Sequence, residues 1–256
     1  MDIETLLSFA RRSDGVVFLS AHPDDVAFSL QETFSTFSRI GLSARLISIF
    51  TKTNYTLRNK TTKSIEAVSR LRRQEDRAFL AAVYPRCRYD SLGMLDAPLR
   101  KDTPTINPCR TRLATKYDFD LISTLALRLR RLIRTSSLLF CPVGIGDHID
   151  HLVARAAILS ASESLPRLKI VFYEDLPYAG ELSHSEVAQY IHRLSFALER
   201  QLIPCFCRIA NMRSRLDLCK RHYPSQTNNA VLNDIRRHLL RNARRPAERL
   251  WVVSEF

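Results

Sequence analysis

No two cysteines in this chain stand at C-x-x-C spacing, although it holds six: Cys87, Cys109, Cys141, Cys205, Cys207 and Cys219. Neither a structural zinc site nor a disulfide framework is therefore expected. Cys141 sits inside an apolar run and reads as a buried free thiol. No apolar run approaches the roughly 18 residues of a membrane span, and the acidic start Met1-Asp2-Ile3-Glu4 lacks the apolar core of a signal peptide. A cytoplasmic protein with no transmembrane segment is the expectation. Internal repeats, low-complexity tracts and an evident linker are also missing, so a single domain over 1–256 is expected. No RNA-binding motif and no alternation of basic with aromatic residues is present, which argues against a stable nucleic-acid partner.

Positive charge is in excess. Thirty-nine basic residues against 26 acidic give +13, a balance compatible with nucleic acid, an anionic membrane surface or an anionic substrate. The arginines are nonetheless dispersed along helical stretches: Arg70, Arg72, Arg73 and Arg77; Arg128, Arg130, Arg131 and Arg134; Arg236, Arg237, Arg241, Arg244 and Arg245. Solvated helix faces are the first reading of that pattern. An anionic substrate, such as a nucleotide sugar, is the second.

The chemistry concentrates in two short stretches. Val16-Val17-Phe18-Leu19 reads as a buried strand, and apolar residues at helical spacing (Val26, Leu30, Phe34, Phe37) follow it. Between them lie His22, Asp24 and Asp25, on a turn leaving the C-terminal end of a strand, with Asp24 or Asp25 available as the helix N-cap. His22 and Asp25, three residues apart, offer an imidazole and a carboxylate, half of a catalytic zinc site. About 125 residues downstream the pattern recurs: the apolar run from Leu138 to Val143, glycines at 144 and 146, then Asp147-His148-Ile149-Asp150-His151 opening a helix. Taken singly, an aspartate at such a turn is ordinarily a cap and a lone histidine a structural one. Three of the seven histidines falling in two turns of the same kind favour a metal site.

Ala21-His22-Pro23-Asp24-Asp25 with His148-Ile149-Asp150-His151 resembles the zinc-dependent N-acetylglucosaminyl deacetylase superfamily, the PIG-L/LmbE-like deacetylases. The likeness continues in Arg72-Arg73-Gln74-Glu75, in Leu92-Gly93-Met94-Leu95-Asp96, in the stretch from Phe172 to Ala179, in Tyr223-Pro224-Ser225-Gln226 and in Ala247-Glu248-Arg249-Leu250-Trp251. Departures exist: Val26 stands where members usually carry Glu, Ser29 and Leu30 replace small glycines, and Gly146 stands where some members have Tyr. None of these touches the expected ligands.

His22, Asp25 and His151 are assigned as metal ligands with one position left for water. Zn2+ is the expected ion, and a mixed N/O set also accepts Fe2+. Asp24, adjacent to a ligand but unable to share its direction, is placed to act as general base, the role that the resemblance implies. His148, one helical turn from His151, faces the leaving nitrogen as general acid, and Asp150 orients a histidine through its ring N–H. Asp150 at a helix N-terminus is equally served by the helix dipole without any site. Arg72 and Asp96 match positions that, by resemblance, bind the sugar or an adjoining anion; pairing of Arg72 with Glu75 or Asp76, and a turn cap for Asp96, are the plain alternatives.

Alternation of strands with helices predicts an α/β fold: a Rossmann-like, largely parallel sheet with helices on both faces over 1–175, and C-terminal α+β elements over 176–256 as a cap packed beside the sheet. The helix after the first turn is expected to run to about Ile40. The polar segment from Thr51 to Thr62 reads as a loop over the site, and Lys52, Arg58 and Lys60, with Arg72, are expected to converge on its mouth. The implied activity is removal of acetyl from an N-acetylated amino sugar, of N-acetylglucosamine type, or its conjugate. The small-molecule substrate is neutral or anionic on this reading. Two alternatives stand beside it: a zinc amidase acting on another amide such as a thiol conjugate, and a catalytically silent sugar- or nucleic-acid-binding homologue.

Overall fold

The computed structural model describes residues 3–57, 64–100 and 116–254. In chain order the elements are α1 (Ile3–Arg11), β1 (Val16–Ser20), α2 (Asp25–Ser29), α3 (Gln31–Arg39), β2 (Ala44–Ser48), α4 (Ile65–Val83) and β3 (Arg88–Ser91). A short 3-10 turn at Ala97–Leu99 precedes α5 (Lys116–Leu132), β4 (Leu138–Pro142), α6 (Ile149–Ser162), β5 (Lys169–Tyr173) and α7 (Tyr178–Glu181). Then come α8 (His184–Leu198), β6 (Leu202–Arg208), α9 (Met212–His222), α10 (Asn229–Arg241) and β7 (Ala247–Val253).

The strands form one seven-stranded sheet in the order β3-β2-β1-β4-β5-β7-β6. β1 to β5 run parallel, and helices cover both faces, the α/β architecture expected. β7 is antiparallel to both β5 and β6. The two C-terminal strands thus lengthen the sheet itself instead of packing beside it.

β1 and β4, the two central strands, are buried at every position, as near-continuous apolar runs covered on both faces must be. Phe18 of β1 stacks on Phe140 of β4 at 4.7 Å, and Phe34 and Phe37 of α3 meet Phe18 edge-on. From β1 the chain winds outward to β2 and β3; from β4 it winds the other way to β5. The order therefore reverses between β1 and β4, and a crevice opens beyond their carboxyl ends. Both histidine-bearing turns leave those two ends, which is why residues so distant in sequence share one site.

The helix expected to run on to Ile40 is interrupted. Leu30, at φ −130° and ψ 19°, separates α2 from α3. The break has a partner far along the chain: the Glu248 carboxylate accepts hydrogen bonds from the backbone N–H groups of Glu32 (2.7 Å) and Thr33 (2.8 Å). A carboxylate from β7 thus satisfies the first free N–H groups of α3, the task of an N-cap. Buried Arg215 pairs with that same carboxylate at 3.0 Å.

Candidate active site and metal centre

The turn after β1 holds its first histidine by local geometry. Asp25 Oδ2 accepts the backbone N–H of His22 at 2.7 Å, tying ring and carboxylate into one bend. Asp24 between them sits at φ 119°, in the left-handed region that costs a non-glycine residue about 1–3 kcal/mol. Its side chain makes no cap hydrogen bond to α2. It is held instead by Arg72, whose Nη2 donates to Asp24 Oδ2 (3.1 Å) and to the Pro23 carbonyl (2.8 Å).

After β4 the chain turns through Gly144 and Gly146 into α6. His148 is the N-cap, its Nδ1 accepting the Asp150 N–H at 3.2 Å. That bond leaves the ring proton of neutral His148 on Nε2. Burial first, then the neighbouring His22 and His151, hold its pKa well below the ordinary imidazole value.

The two turns meet with their donors converging. His151 Nε2 lies 3.2 Å from His22 Nδ1 and 3.6 Å from Asp25 Oδ1, and His22 Nδ1 lies 4.0 Å from Asp25 Oδ2. The other nitrogen of each ring is committed: His22 Nε2 to Asp150 Oδ2 at 2.9 Å, His151 Nδ1 to Asp175 Oδ1 at 2.6 Å. With those N–H groups donating, His22 Nδ1 and His151 Nε2 present lone pairs to one another and to a carboxylate. Three electron-pair donors facing inward repel unless a cation lies among them. Tetrahedral ligands at about 2.1 Å are about 3.4 Å apart, close to the spacing here, so the donor set fits a divalent ion. Ring nitrogens of His22, His148 and His151 also lie within 4.8 Å of one another, as do donors of His22, Asp96, His148 and Asp150. In the latter group His22 Nε2 and both Asp150 oxygens already have hydrogen-bond partners.

Asp96 stands beside this centre, its Oδ1 3.4 Å from His22 Nε2 and its Oδ2 accepting the Thr53 hydroxyl at 2.5 Å. Burial alone would raise its pKa, but the hydrogen bond from His22, with the charge of Arg72 and the Thr53 hydroxyl, holds it well below the usual carboxylate range. Asp24 goes the other way: burial pushes it up to about 8, against the opposing charge of Arg72. Two buried carboxyls lining one cavity are thus driven apart, a pattern typical of acid–base sites.

The eight residues assigned to the site from the sequence lie at this end of the sheet. His22, Asp24, Asp25, Arg72, Asp96 and His148 line a cavity of about 360 Å³, walled further by Phe28, Tyr55, Leu57, Tyr178 and Val231. Asp150 and His151 are fully buried behind it. The converging cations do not assemble as expected among the described residues. Lys52 is absent from the cavity wall, Arg72 is spent on Asp24, and Arg58 and Lys60 lie outside the described residues. Asp175 was missed as a partner of His151. Its Oδ2 also accepts the N–H groups of Gly144 and Ile145, both at 2.8 Å. The available signal was an aspartate just past the end of β5.

Gly146 has a steric explanation. Its φ is +88°, and a Cβ there would meet Tyr178 Cβ at 2.7 Å. The Tyr178 ring fills that space, 5.8 Å from the His148 ring and 5.7 Å from that of His151.

A family model described as PIG-L: GlcNAc-PI de-N-acetylase matches residues 17–162, more than half the chain and both turns. The chain is 28% identical over 245 residues to 2'-N-acetylparomamine deacetylase of Streptomyces fradiae, covering 94% of this chain and 82% of that protein. Among solved structures, the zinc-inhibited form of teicoplanin deacetylase Orf2 matches with a TM-score of 0.70 at 22% identity, over 94% of this chain and 98% of that one. N,N'-diacetylchitobiose deacetylase from Pyrococcus horikoshii, complexed with its inhibitor, matches at 0.60 and 14% identity, over 96% and 85%. These two structural matches establish a shared fold.

Proposed function

Because this chain belongs to the PIG-L family of GlcNAc-PI de-N-acetylases, we propose that it is a zinc-dependent hydrolase removing the acetyl group from an N-acetylated amino sugar or its conjugate. The observation that carries this reading is the inward convergence of His22 Nδ1, His151 Nε2 and Asp25 within 3.2–4.0 Å, each histidine backed by a buried carboxylate. His22, His151 and Asp25 would hold the ion; Fe2+ suits the same donors. Bound there, zinc supplies a Lewis acid for the acetamide carbonyl and for water.

The remaining work belongs to the protein's own groups. Asp24 receives the proton of the attacking water and later releases it. Arg72 fixes the orientation of that carboxylate through Oδ2. His148, neutral with its proton on Nε2, lines the cavity and donates toward the developing oxyanion or the leaving nitrogen. Water adds across the amide C–N bond, giving acetate and a free amine. Asp96 is positioned for a sugar hydroxyl, with Thr53 holding its far oxygen.

The cavity wall favours a neutral or amine-bearing sugar over an anionic one. Asp24, Asp25, Asp96 and Glu181 line it, and Arg72 is the one cation among the described lining residues. The name of the Streptomyces fradiae relative supports the same direction. A panel of N-acetylated sugars, neutral, amine-bearing and phosphorylated, scored for acetate release by zinc-loaded protein tests the proposal. Acetate from at least one sugar is expected. No acetate from any, with the metal bound, overturns it.

A further inference from the structure

We propose that Arg100 is a positioning residue for His22, acting through Asp150 to set the affinity of the metal centre. This rests on the reading of His22 as a ligand. Arg100 lies in neither histidine turn; it follows the 3-10 turn at Ala97–Leu99, and its N–H closes that turn onto the Ala97 carbonyl at 3.0 Å. The turn is itself anchored, since Asp96 N–H donates to the Lys52 carbonyl at 2.9 Å.

From this one turn come two donors to Asp150. Ala97 N–H donates to Oδ2 at 3.0 Å, and Arg100 Nη1 donates to Oδ1. The same Nη1 reaches the Leu95 carbonyl at 3.0 Å, and the guanidinium lies over the Phe50 ring at 5.2 Å. Asp150 is fully buried, so its charge needs a counter-charge there. With Oδ1 occupied by Arg100, the carboxylate cannot rotate, and Oδ2 remains to accept His22 Nε2–H at 2.9 Å. Holding that proton on Nε2 keeps the Nδ1 lone pair on the side of His151 and Asp25.

The two histidines are supported differently. The carboxylate behind His151 is held by two backbone N–H groups, at Gly144 and Ile145. The one behind His22 depends on a side-chain cation. Arg100 Nη2, moreover, is buried and has no hydrogen-bond partner among the described residues.

The test measures zinc dissociation constants by competition with a chromophoric chelator, and the visible spectrum of the cobalt-substituted protein. Full-length wild type, Arg100→Gln, Arg100→Lys, Asp150→Asn, Arg100→Gln/Asp150→Asn and His22→Ala are compared. Arg100→Gln is expected to weaken zinc binding by about 10–100-fold, the usual effect of losing a group that orients a ligand. Arg100→Lys is expected between it and wild type, at about tenfold, because an ammonium keeps the charge without the rigid fork. The cobalt spectrum should shift in both. In the Asp150→Asn background, Arg100→Gln should cost less than about threefold more, since the two then act through one path. Wild-type affinity and spectrum in Arg100→Gln, or an unreduced loss in the Asp150→Asn background, overturns the proposal. If Arg100→Gln does not fold, Arg100→Lys decides: wild-type affinity and spectrum there count against it. Retained zinc in His22→Ala would instead remove the ligand reading on which it rests.

Discussion

His22 Nδ1 and His151 Nε2 face each other across 3.2 Å, and the far nitrogen of each ring is hydrogen-bonded to a buried aspartate. Both rings are thereby turned lone-pair first toward the same point, which Asp25 also approaches. Purified protein is accordingly expected to hold about one divalent ion per chain. His22→Ala and His151→Ala should each lose most of it by elemental analysis. Full occupancy in the double variant would eliminate this centre.

Asp175 makes the same argument separable from the ligands. It accepts His151 Nδ1–H and two backbone N–H groups, while contributing nothing to the cavity wall. Asp175→Asn should weaken zinc binding by about 10–100-fold, with part of the lost turnover restored by added zinc. Unaltered metal affinity would reduce Asp175 to a fastener of the 144–145 turn.

Asp24→Ala separates metal from chemistry. The variant should keep its ion, because Asp24 points to Arg72 and not into the donor set. Its turnover should fall by about two to four decades, as when a general base is removed. Near-normal turnover in the metal-replete variant would pass the proton to another group.

How much of this was legible follows a physical line. β1 and β4 were visible as apolar runs, and His22, Asp25, His148 and His151 as local spacings on the turns that follow them, since both signals live within a few residues. The break at Leu30 was not. It depends on Glu248, more than 200 residues away in the chain, offering its oxygens to Glu32 and Thr33. Asp175 showed only as an aspartate past a strand end, with no sign of its partner, and Arg100 was silent. Nothing near them in sequence announces that β5 will lie beside β4, or that the 97–99 turn will fold over Asp150. The expected cluster of Lys52 with Arg72 failed for the same reason: proximity in sequence cannot say which partner a charge will find. Arg72 found Asp24.

Gly146 tests how tightly the pocket wall is packed. A Cβ there would fall 2.7 Å from Tyr178 Cβ, on a backbone at φ +88°. Gly146→Ala should destabilise the fold by about 1–3 kcal/mol from overpacking and backbone strain. In a Tyr178→Gly background, which removes the Cβ it would meet, Gly146→Ala should cost less, leaving only the strain. Equal denaturant midpoints for Gly146→Ala and wild type would mean that the Tyr178 backbone yields freely.

Acid should loosen the other wall through Glu174. This buried carboxylate accepts from His238 Nε2 (2.5 Å), Arg249 Nε (2.6 Å) and Trp251 Nε1 (2.9 Å), joining β5 to β7 and α10. His238 in turn lies 3.1 Å from the Ala179 carbonyl, on the helix that carries Tyr178. Burial alone would raise the Glu174 pKa, but the hydrogen bond and charge of His238, then Arg249, bring it below its ordinary 4.5. A depressed folded value contributes stability that is fully present above the unfolded pKa and is lost as pH falls through the folded one. Glu174→Gln removes one partner of a buried charged cluster and should cost about 3–5 kcal/mol near pH 7. The gap between wild type and Glu174→Gln, from urea unfolding at several pH values, should be constant above about pH 6 and shrink below about pH 4.5. A gap that stays level down to pH 3.5 would show that packing, and not the ionised carboxylate, holds this wall.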